Sequence, residues 1–347
     1  MPDRRTTFSK FIIEDRSRRK LSPDAELTAL LNDIQTACKF IASAVSRGAL
    51  GAADGGTLHD VANDIMRREC AWGGQLCGLL SDTDAAPFPI PTGAARGPYL
   101  LVFDPLDGSD NVDVNVAVGT IFSVLRAPEG VTDPAGADFL QPGTNQIAAG
   151  FVLYGPTSML VITLGAGVHG FTLDREIGAY TLTHPDMRIP ADTREFAINA
   201  SNRRFWEAPV RHYVEECIDG ETGTRGDNFT MRWVDSLVGE VHRILVRGGL
   251  FINPSDTSDP GQRGRLHCLY EANPMAMIVE QAGGAASTGR TRILSIVPQD
   301  VHERVPVVLG SRSEVERLVR YHESHDRGEQ LVFETPLFNA RSLFRTG

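Results

Sequence analysis

The stretch from Tyr99 to Asn111 limits what this chain can become more than any other. Tyr99-Leu100-Leu101-Val102-Phe103 is an apolar run of strand length, bounded upstream by Gly97-Pro98, and reads as a buried strand. It ends in Asp104 and Asp107, with Pro105 between them. Pro105 fixes its own φ and biases Asp104 toward extended backbone. Gly108 permits a tight turn, and the N–H groups of Gly108, Ser109 and Asp110 can then point at an anion. Two hard oxygen ligands beside an N–H cradle suit divalent-metal phosphate chemistry. The plain alternative is a strand ending in a solvated Asp-Pro/Asp-Gly turn, which is common. The full nonapeptide Phe103–Asn111 is more specific than the aspartate pair alone.

The 347 residues suffice for a large core in one or two domains. A net charge of -10 argues against nucleic acid as a main partner. An acidic chain that binds an anionic phosphate needs local compensation, from metal ions and a few placed arginines. Residues 1–20 are polar and carry no secretory signal, and no stretch approaches the ~20 apolar residues of a membrane span. The five cysteines, Cys38, Cys70, Cys77, Cys217 and Cys268, are odd in number and scattered. That pattern fits reduced thiols in the cytoplasm.

Residues 1–20 are expected to be an arm that a partner subunit orders. Ser22-Pro23 looks like a helix start, with Leu27, Leu30, Leu31, Ile34, Cys38, Ile41 and Val45 at helical spacing and Gly48 as the stop. A second helix is predicted around Asp60 to Arg68, then a strand from Leu76 to Leu80. Beyond the signature, segments 116–125, 146–154, 159–164, 169–173 and 179–183 read as an antiparallel meander. Proline and charge return at His184 to Thr193, the expected domain boundary. The second half alternates strands (196–199, 250–252, 305–309) with helices (205–217, 232–247, 274–281, 314–322), so a layered α/β or α+β architecture is expected.

The signature resembles that of class 1 fructose-1,6-bisphosphatases, within the lithium-sensitive phosphatases that include the inositol monophosphatases. Other blocks follow in family order: Asn115 to Ser123, Phe139-Leu140-Gln141-Pro142-Gly143, Gly165 to Phe171, Leu269 to Ala276, and Glu280 to Gly284. The resemblance implies an α/β fold of layered αβαβα type with two mixed or antiparallel sheets. It also implies an N-terminal metal domain (1–188), a C-terminal substrate domain (189–347) and a homotetramer.

The resemblance further implies residue roles. Asp104, Asp107, the Leu106 carbonyl, Glu271 and Asp82 would hold Mg2+, with Mn2+ or Zn2+ as alternatives. The family has two adjacent glutamates where this chain has Asp82 and Thr83, and Asp84 is a further candidate. Where the family has an aspartate, the chain has His59 followed by Asp60. His59 acting as base, Asp60 sliding in, and loss of the function are all open. Asp107, Gly108, Ser109 and Asp110 would cradle the departing phosphate, with Ser109 orienting water and Asp110 pointing out or holding an extra cation. Asn199, Arg232, Trp233, Arg247 and Arg265 would hold the retained phosphate, with Arg232 reaching in from a neighbouring subunit. His267 stands near the other phosphate. Thr28, Tyr99 and Arg126 resemble part of a nucleotide effector site. The expected activity is hydrolysis of the 1-phosphate of fructose 1,6-bisphosphate. The alternatives are sedoheptulose 1,7-bisphosphate, both sugars, or a catalytically weak homologue that binds sugar phosphate or nucleotide.

Overall fold

The structure is a computed structural model describing residues 6–18, 24–52, 56–255, 257–258 and 264–329. In chain order the first half holds α1 (Phe8–Arg18), α2 (Ala25–Val45), α3 (Leu58–Cys70), β1 (Leu76–Ser81), β2 (Phe88–Pro89), β3 (Tyr99–Asp107), β4 (Val118–Arg126), the single turn α4 (Gly136–Phe139), β5 (Ala148–Tyr154), β6 (Ser158–Thr163), β7 (His169–Asp174) and β8 (Ala179–His184). The second half holds β9 (Glu195–Ile198), α5 (Ala208–Asp219), β10 (Thr230–Met231), α6 (Leu237–Arg247), β11 (Leu250–Asn253), β12 (Leu266–His267), α7 (Asn273–Gln281), β13 (Ala285–Ser287), β14 (Arg304–Val305), β15 (Val307–Gly310) and α8 (Arg312–Asp326).

Strands β1 to β8 form one sheet in the order 2-1-3-4-5-6-7-8. The predicted meander is present: each strand from β3 to β8 pairs antiparallel with the next. Only β1 runs parallel to β3. The second sheet, in the order 10-9-11-15-13, mixes parallel and antiparallel pairs. Strands β12 and β14 make a separate antiparallel ribbon.

Five layers follow from how strand residues alternate between faces. In β3, Tyr99, Leu101 and Phe103 pack under α1, α2 and α3. The opposite face of the same sheet gives Ile121, Ala149, Phe151 and Val161 to a core shared with α6 and α7. That middle helical layer also covers Ala197, Phe251 and Leu309 of the second sheet. The far face of the second sheet, with Phe196, Ile198, Leu250 and Ile252, packs against α5 and α8. Those two helices are also tied by Glu314, which accepts from the Tyr213 hydroxyl at 2.7 Å and from Arg225 at 2.6 Å. The order is therefore αβαβα, as expected. No helix among the described residues is long and apolar enough to cross a membrane.

Several local expectations need correction. The segment read as an arm contains α1, whose Phe8, Phe11 and Ile12 are buried. Both phenylalanine rings lie 5.2 Å from that of Phe171, and Thr7 bridges to Thr181. The segment is held by its own sheet, because Phe8, Phe11 and Ile12 make a helical stripe despite the surrounding charge. Ser22 and Pro23, the expected cap, lie outside the described residues. Helix α2 instead begins after Asp24, whose side chain accepts from Leu27 N at 2.9 Å. The helix predicted from Arg232 starts only at Leu237. Asp235 has a positive φ of 56°, and Ser236 caps the helix by accepting from Gly239 N. The residues before it are extended, with Arg232 N donating to Phe196 O at 2.8 Å. The helix expected from Phe205 starts at Ala208, with Pro209 in its first turn.

Phe151 sits fully buried between the first sheet and the middle helices. Phe151→Ala is expected to lower unfolding stability by about 3–5 kcal/mol. Val114→Ala, at a position 67% exposed, is expected to change it by no more than about 0.5 kcal/mol. Urea-induced unfolding of both variants checks the contrast.

Candidate active site

Strand β3 delivers its two aspartates through an irregularity. Its pairing with β4 slips between Asp104, opposite Ile121, and Asp107, opposite Gly119. A slip of this kind re-aims side chains, here turning both carboxylates inward. The Asp104 carboxylate accepts from Leu106 N at 2.9 Å, and Thr120 Oγ1 anchors the Pro105 carbonyl at 2.8 Å. Gly108 then takes a φ of 69°, a left-handed conformation suited to glycine. The chain enters a short 3-10 turn over Ser109–Val112.

Helix α6 points its N-terminus at this corner. Asp107 Oδ2 accepts from Val238 N at 3.1 Å, so the positive end of the helix faces a carboxylate. Glu271 comes from a π turn, Cys268–Ala272, between β12 and α7. Its Oε2 accepts from His267 N at 2.7 Å and lies 3.2 Å from His267 Nδ1. Asp104, Asp107 and Glu271 are all buried, and each offers a ligand atom within 4.8 Å of the others. Among the described residues, no lysine or arginine pairs with any of them. Burial first, then Asp82, Asp107 and Glu271, pushes Asp104 well above the usual carboxylate range. Burial and Glu271 push Asp107 up to about 7, against the pull of the Val238 and Leu237 N–H groups. Buried carboxylates that repel one another, with no lysine or arginine among the described residues beside them, suit a hard divalent cation. The set is also the right donor chemistry for the expected metal.

The second wall settles which neighbours face the corner. His59, in the first turn of α3, places Nε2 3.5 Å from Asp82 and 3.9 Å from Asp104. These three form a second group with metal-ligand spacing. Asp60 does not slide in. It closes a reciprocal cap with Thr57, with bonds of 3.0 and 3.1 Å, and is exposed. Asp84 does not reach in either, because Arg67 holds it in an ion pair and Ser81 N donates to it at 3.3 Å. Thr83 accepts from Asn63 Nδ2 at 3.3 Å.

His59, Asp82, Asp104, Asp107 and Glu271 line a cleft of about 420 Å³ together with Leu106, Gly108, Ser109, Asp110, Trp233, Arg265 and His267. Asp110 lies exposed at its edge. Trp233 stacks on Phe251, with ring centroids 6.2 Å apart and planes 5° apart. Trp233, Asp235, Asn253 and Arg265 also border a recess of about 130 Å³ that contains Asn199. Two expected residues are elsewhere. Arg247 is exposed at the C-terminal end of α6, whose first residue, Leu237, lines the cleft. An eleven-residue helix separates its ends by about 15 Å, so Arg247 cannot join this cleft. Arg232 is also outside it, 3.3 Å from Glu195. Arg304, Asn253 and Asp235 line the cleft and were not expected. Only the His267–Arg304 strand pairing brings Arg304 there, and two-residue strands leave little sequence signal.

The three residues likened to an effector site are linked through Asp24 and Tyr99. Arg126 lies over the Tyr99 ring at 5.1 Å, the Tyr99 hydroxyl donates to Asp24, and Thr28 Oγ1 donates to Asp24 O at 2.9 Å.

Comparison with known proteins gives a consistent result. The family profile described as "Fructose-1-6-bisphosphatase, N-terminal domain" matches residues 6–185, and the corresponding C-terminal domain profile matches 189–323. A "Fructose-1,6-bisphosphatase class 1" of Methylacidiphilum infernorum is 56% identical over 352 residues, covering 98% of each chain. Among solved structures, the Leishmania major fructose-1,6-bisphosphatase in holo form aligns with a TM-score of 0.83 at 34% identity. Its apo form aligns at 0.84 and 35%. Both alignments cover 92% of this chain and 99% of the other.

The raised carboxyls make the metal-free protein pH-sensitive. A carboxyl whose folded pKa lies above its unfolded value of about 3.9 stabilises the fold at low pH and withdraws that stability as pH rises. For Asp107 the loss runs up to and through about 7. With a chelator present, the urea midpoint is expected to fall from about pH 4 to about pH 8. Asp107→Asn should remove part of that fall, and adding a divalent cation at the upper pH should reverse it for the unsubstituted protein. A midpoint that rises over this range would contradict the arrangement.

Proposed function

The chain belongs to the class 1 fructose-1,6-bisphosphatase family, and from that premise we propose that it hydrolyses the 1-phosphate of fructose 1,6-bisphosphate to fructose 6-phosphate and inorganic phosphate. The observation that carries this reading is the convergence of Asp104, Asp107 and Glu271 in the wall of a cleft that also holds Arg265. The division of labour we propose is a metal-holding half, residues 1–188, and a sugar-phosphate-holding half, 189–347. Divalent-metal dependence goes with the family, and Mg2+ is our choice for a site of carboxylates, with Mn2+ or Zn2+ as substitutes.

Asp104, Asp107, Glu271, Asp82 and the Leu106 carbonyl would hold the metal. When bound, it supplies Lewis acidity, charge compensation and a more acidic water. The protein's own groups supply position and proton transfer. The Gly108, Ser109 and Asp110 turn aims N–H groups at the phosphoryl oxygens. Ser109 orients water, and His59, held between Asp82 and Asp104, takes its proton as the water oxygen bonds to phosphorus. The bond between phosphorus and the C1 oxygen breaks, and the sugar leaves as the alcohol, its C1 oxygen taking up through solvent the proton that His59 gained. Trp233 flattened on Phe251 offers an apolar wall for the sugar, while Asn199 and Arg265 hold the retained phosphate. His267 orients Glu271 through its backbone N–H and ring.

A seven-carbon bisphosphate, hydrolysed by the same chemistry at its 1-phosphate, is the second reading. We further propose a homotetramer in which Arg232, outside its own cleft, reaches a neighbour's. A cytoplasmic setting agrees with five free cysteines, all buried. Thr28, Tyr99 and Arg126 are proposed as part of a nucleotide effector site, since Thr28 and Tyr99 both bond to Asp24 and Arg126 lies over Tyr99.

Phosphate release from both bisphosphates, assayed with Mg2+, tests the reading. Turnover of the fructose compound is expected, and turnover of neither would overturn it. A chelator should abolish activity and Mg2+ should restore it. Glu271→Gln should lower kcat by more than about 100-fold, since even residues behind metal ligands cost 10- to 100-fold. His59→Ala should cost about 10²–10⁴-fold in kcat/KM. An unchanged kcat/KM would remove His59 from the proton transfer.

A further inference from the structure

The cleft wall is strongly acidic. Asp82, Asp104, Asp107, Asp110, Asp235 and Glu271 all line it, against two arginines, Arg265 and Arg304. Even with divalent cations held by some of these carboxylates, an anionic substrate needs fixed positive charge close to the reacting end. The two arginines are placed differently. Arg265 borders the Asn199 recess as well as the cleft, whereas Arg304 borders the cleft alone.

Arg304 reaches its place through the β12–β14 ribbon, where it stands directly opposite His267. Residues directly opposite in an antiparallel pair project to the same face. Their neighbours Leu266 and Val305 pack against the middle core, so His267 and Arg304 share the cleft side. His267 is engaged with Glu271, so Arg304 stands next to the metal-holding end. The ribbon is held tightly: Cys268 N donates to Glu303 O at 2.8 Å, and a Cβ at Gly264 would come 1.9 Å from the Val305 carbonyl carbon. That close approach brings the Arg265 carbonyl within reach of Arg304 Nη1, which donates to it. Among the described residues this is the only hydrogen bond of the guanidinium. It has five N–H donors in a rigid fork, so most remain for a ligand, and no carboxylate of the described residues pairs with it.

We propose that Arg304 binds the phosphoryl group at the metal end of the cleft, gripping its oxygens before hydrolysis and the freed inorganic phosphate afterwards. A permanently charged planar fork fits a tetrahedral oxyanion bidentately, whatever the state of His267. The assignment rests on the phosphatase reading only for which end of the substrate it serves.

The test compares Arg304→Gln and Arg304→Lys with the unsubstituted enzyme in Mg2+, by calorimetric titration with inorganic phosphate and, separately, with fructose 6-phosphate. Arg304→Gln is expected to weaken inorganic phosphate by about 10- to 100-fold, with a similar loss of kcat/KM for the bisphosphate. Its affinity for fructose 6-phosphate should stay within about twofold, because that phosphate sits at the Arg265 end. Arg304→Lys should recover part of the inorganic-phosphate affinity, as it keeps the charge. Unchanged phosphate affinity in Arg304→Gln would overturn the proposal. So would equal weakening of both ligands, which would mean a general disturbance of the cleft. If no bisphosphate is turned over yet inorganic phosphate binding still depends on Arg304, the substrate reading fails and this assignment stands.

Discussion

Three carboxylates that repel one another in a buried corner are the centre of this protein's design. Asp104, Asp107 and Glu271 have been taken out of water, and no lysine or arginine among the described residues pairs with them. Such a group is costly to keep ionised. The fold partly offsets that cost with backbone dipoles: Leu106 N on Asp104, the start of α6 on Asp107, and His267 N on Glu271. What the backbone leaves uncompensated is the repulsion that a divalent cation would relieve. The same repulsion that destabilises the empty corner would favour hard positive charge in a loaded one.

The five-layer architecture explains how residues so far apart in the chain reach one corner. Asp104 and Asp107 come from a central strand of the first sheet, and Glu271 from the turn entering the middle helical layer. Helix α6 of that layer closes the corner from the other side. The cleft thus opens where the ends of three layers meet, and the wall with Trp233 and Phe251 comes from β11 and the segment before α6. A helix has two ends with opposite polarity, and only the N-terminal one faces the cleft. That is why Ser236 and Leu237 line it and Arg247 does not.

Much of the candidate site was legible because its residues are close in sequence or carry special backbone demands. The Asp104–Asp107 pair, Gly108 and the turn beyond it needed only strand length, proline and glycine to be understood. The buried helices and meander were equally visible, since their apolar spacing survives without knowing the partner layer. Errors clustered where a cap or a long-range contact overrides pattern. Val234 continues the apolar spacing of α6, yet the positive φ of Asp235 and the Ser236 cap begin the helix three residues later. The start of the chain looked like an arm because charge masks its Phe8, Phe11 and Ile12 stripe, which only Phe171 and its neighbours make meaningful.

The sequence by itself determined the layered α/β class, the family, the strand that ends in paired aspartates and the chemistry those aspartates imply. These are local properties, set by side-chain period and backbone restriction. The choice of His59 over Asp60, the diversion of Asp84 to Arg67, the exclusion of Arg247 and the arrival of Arg304 were decided only by tertiary structure. Each depends on which way a side chain points relative to an element distant in the chain. Local spacing carries no information about that direction until the layers are packed.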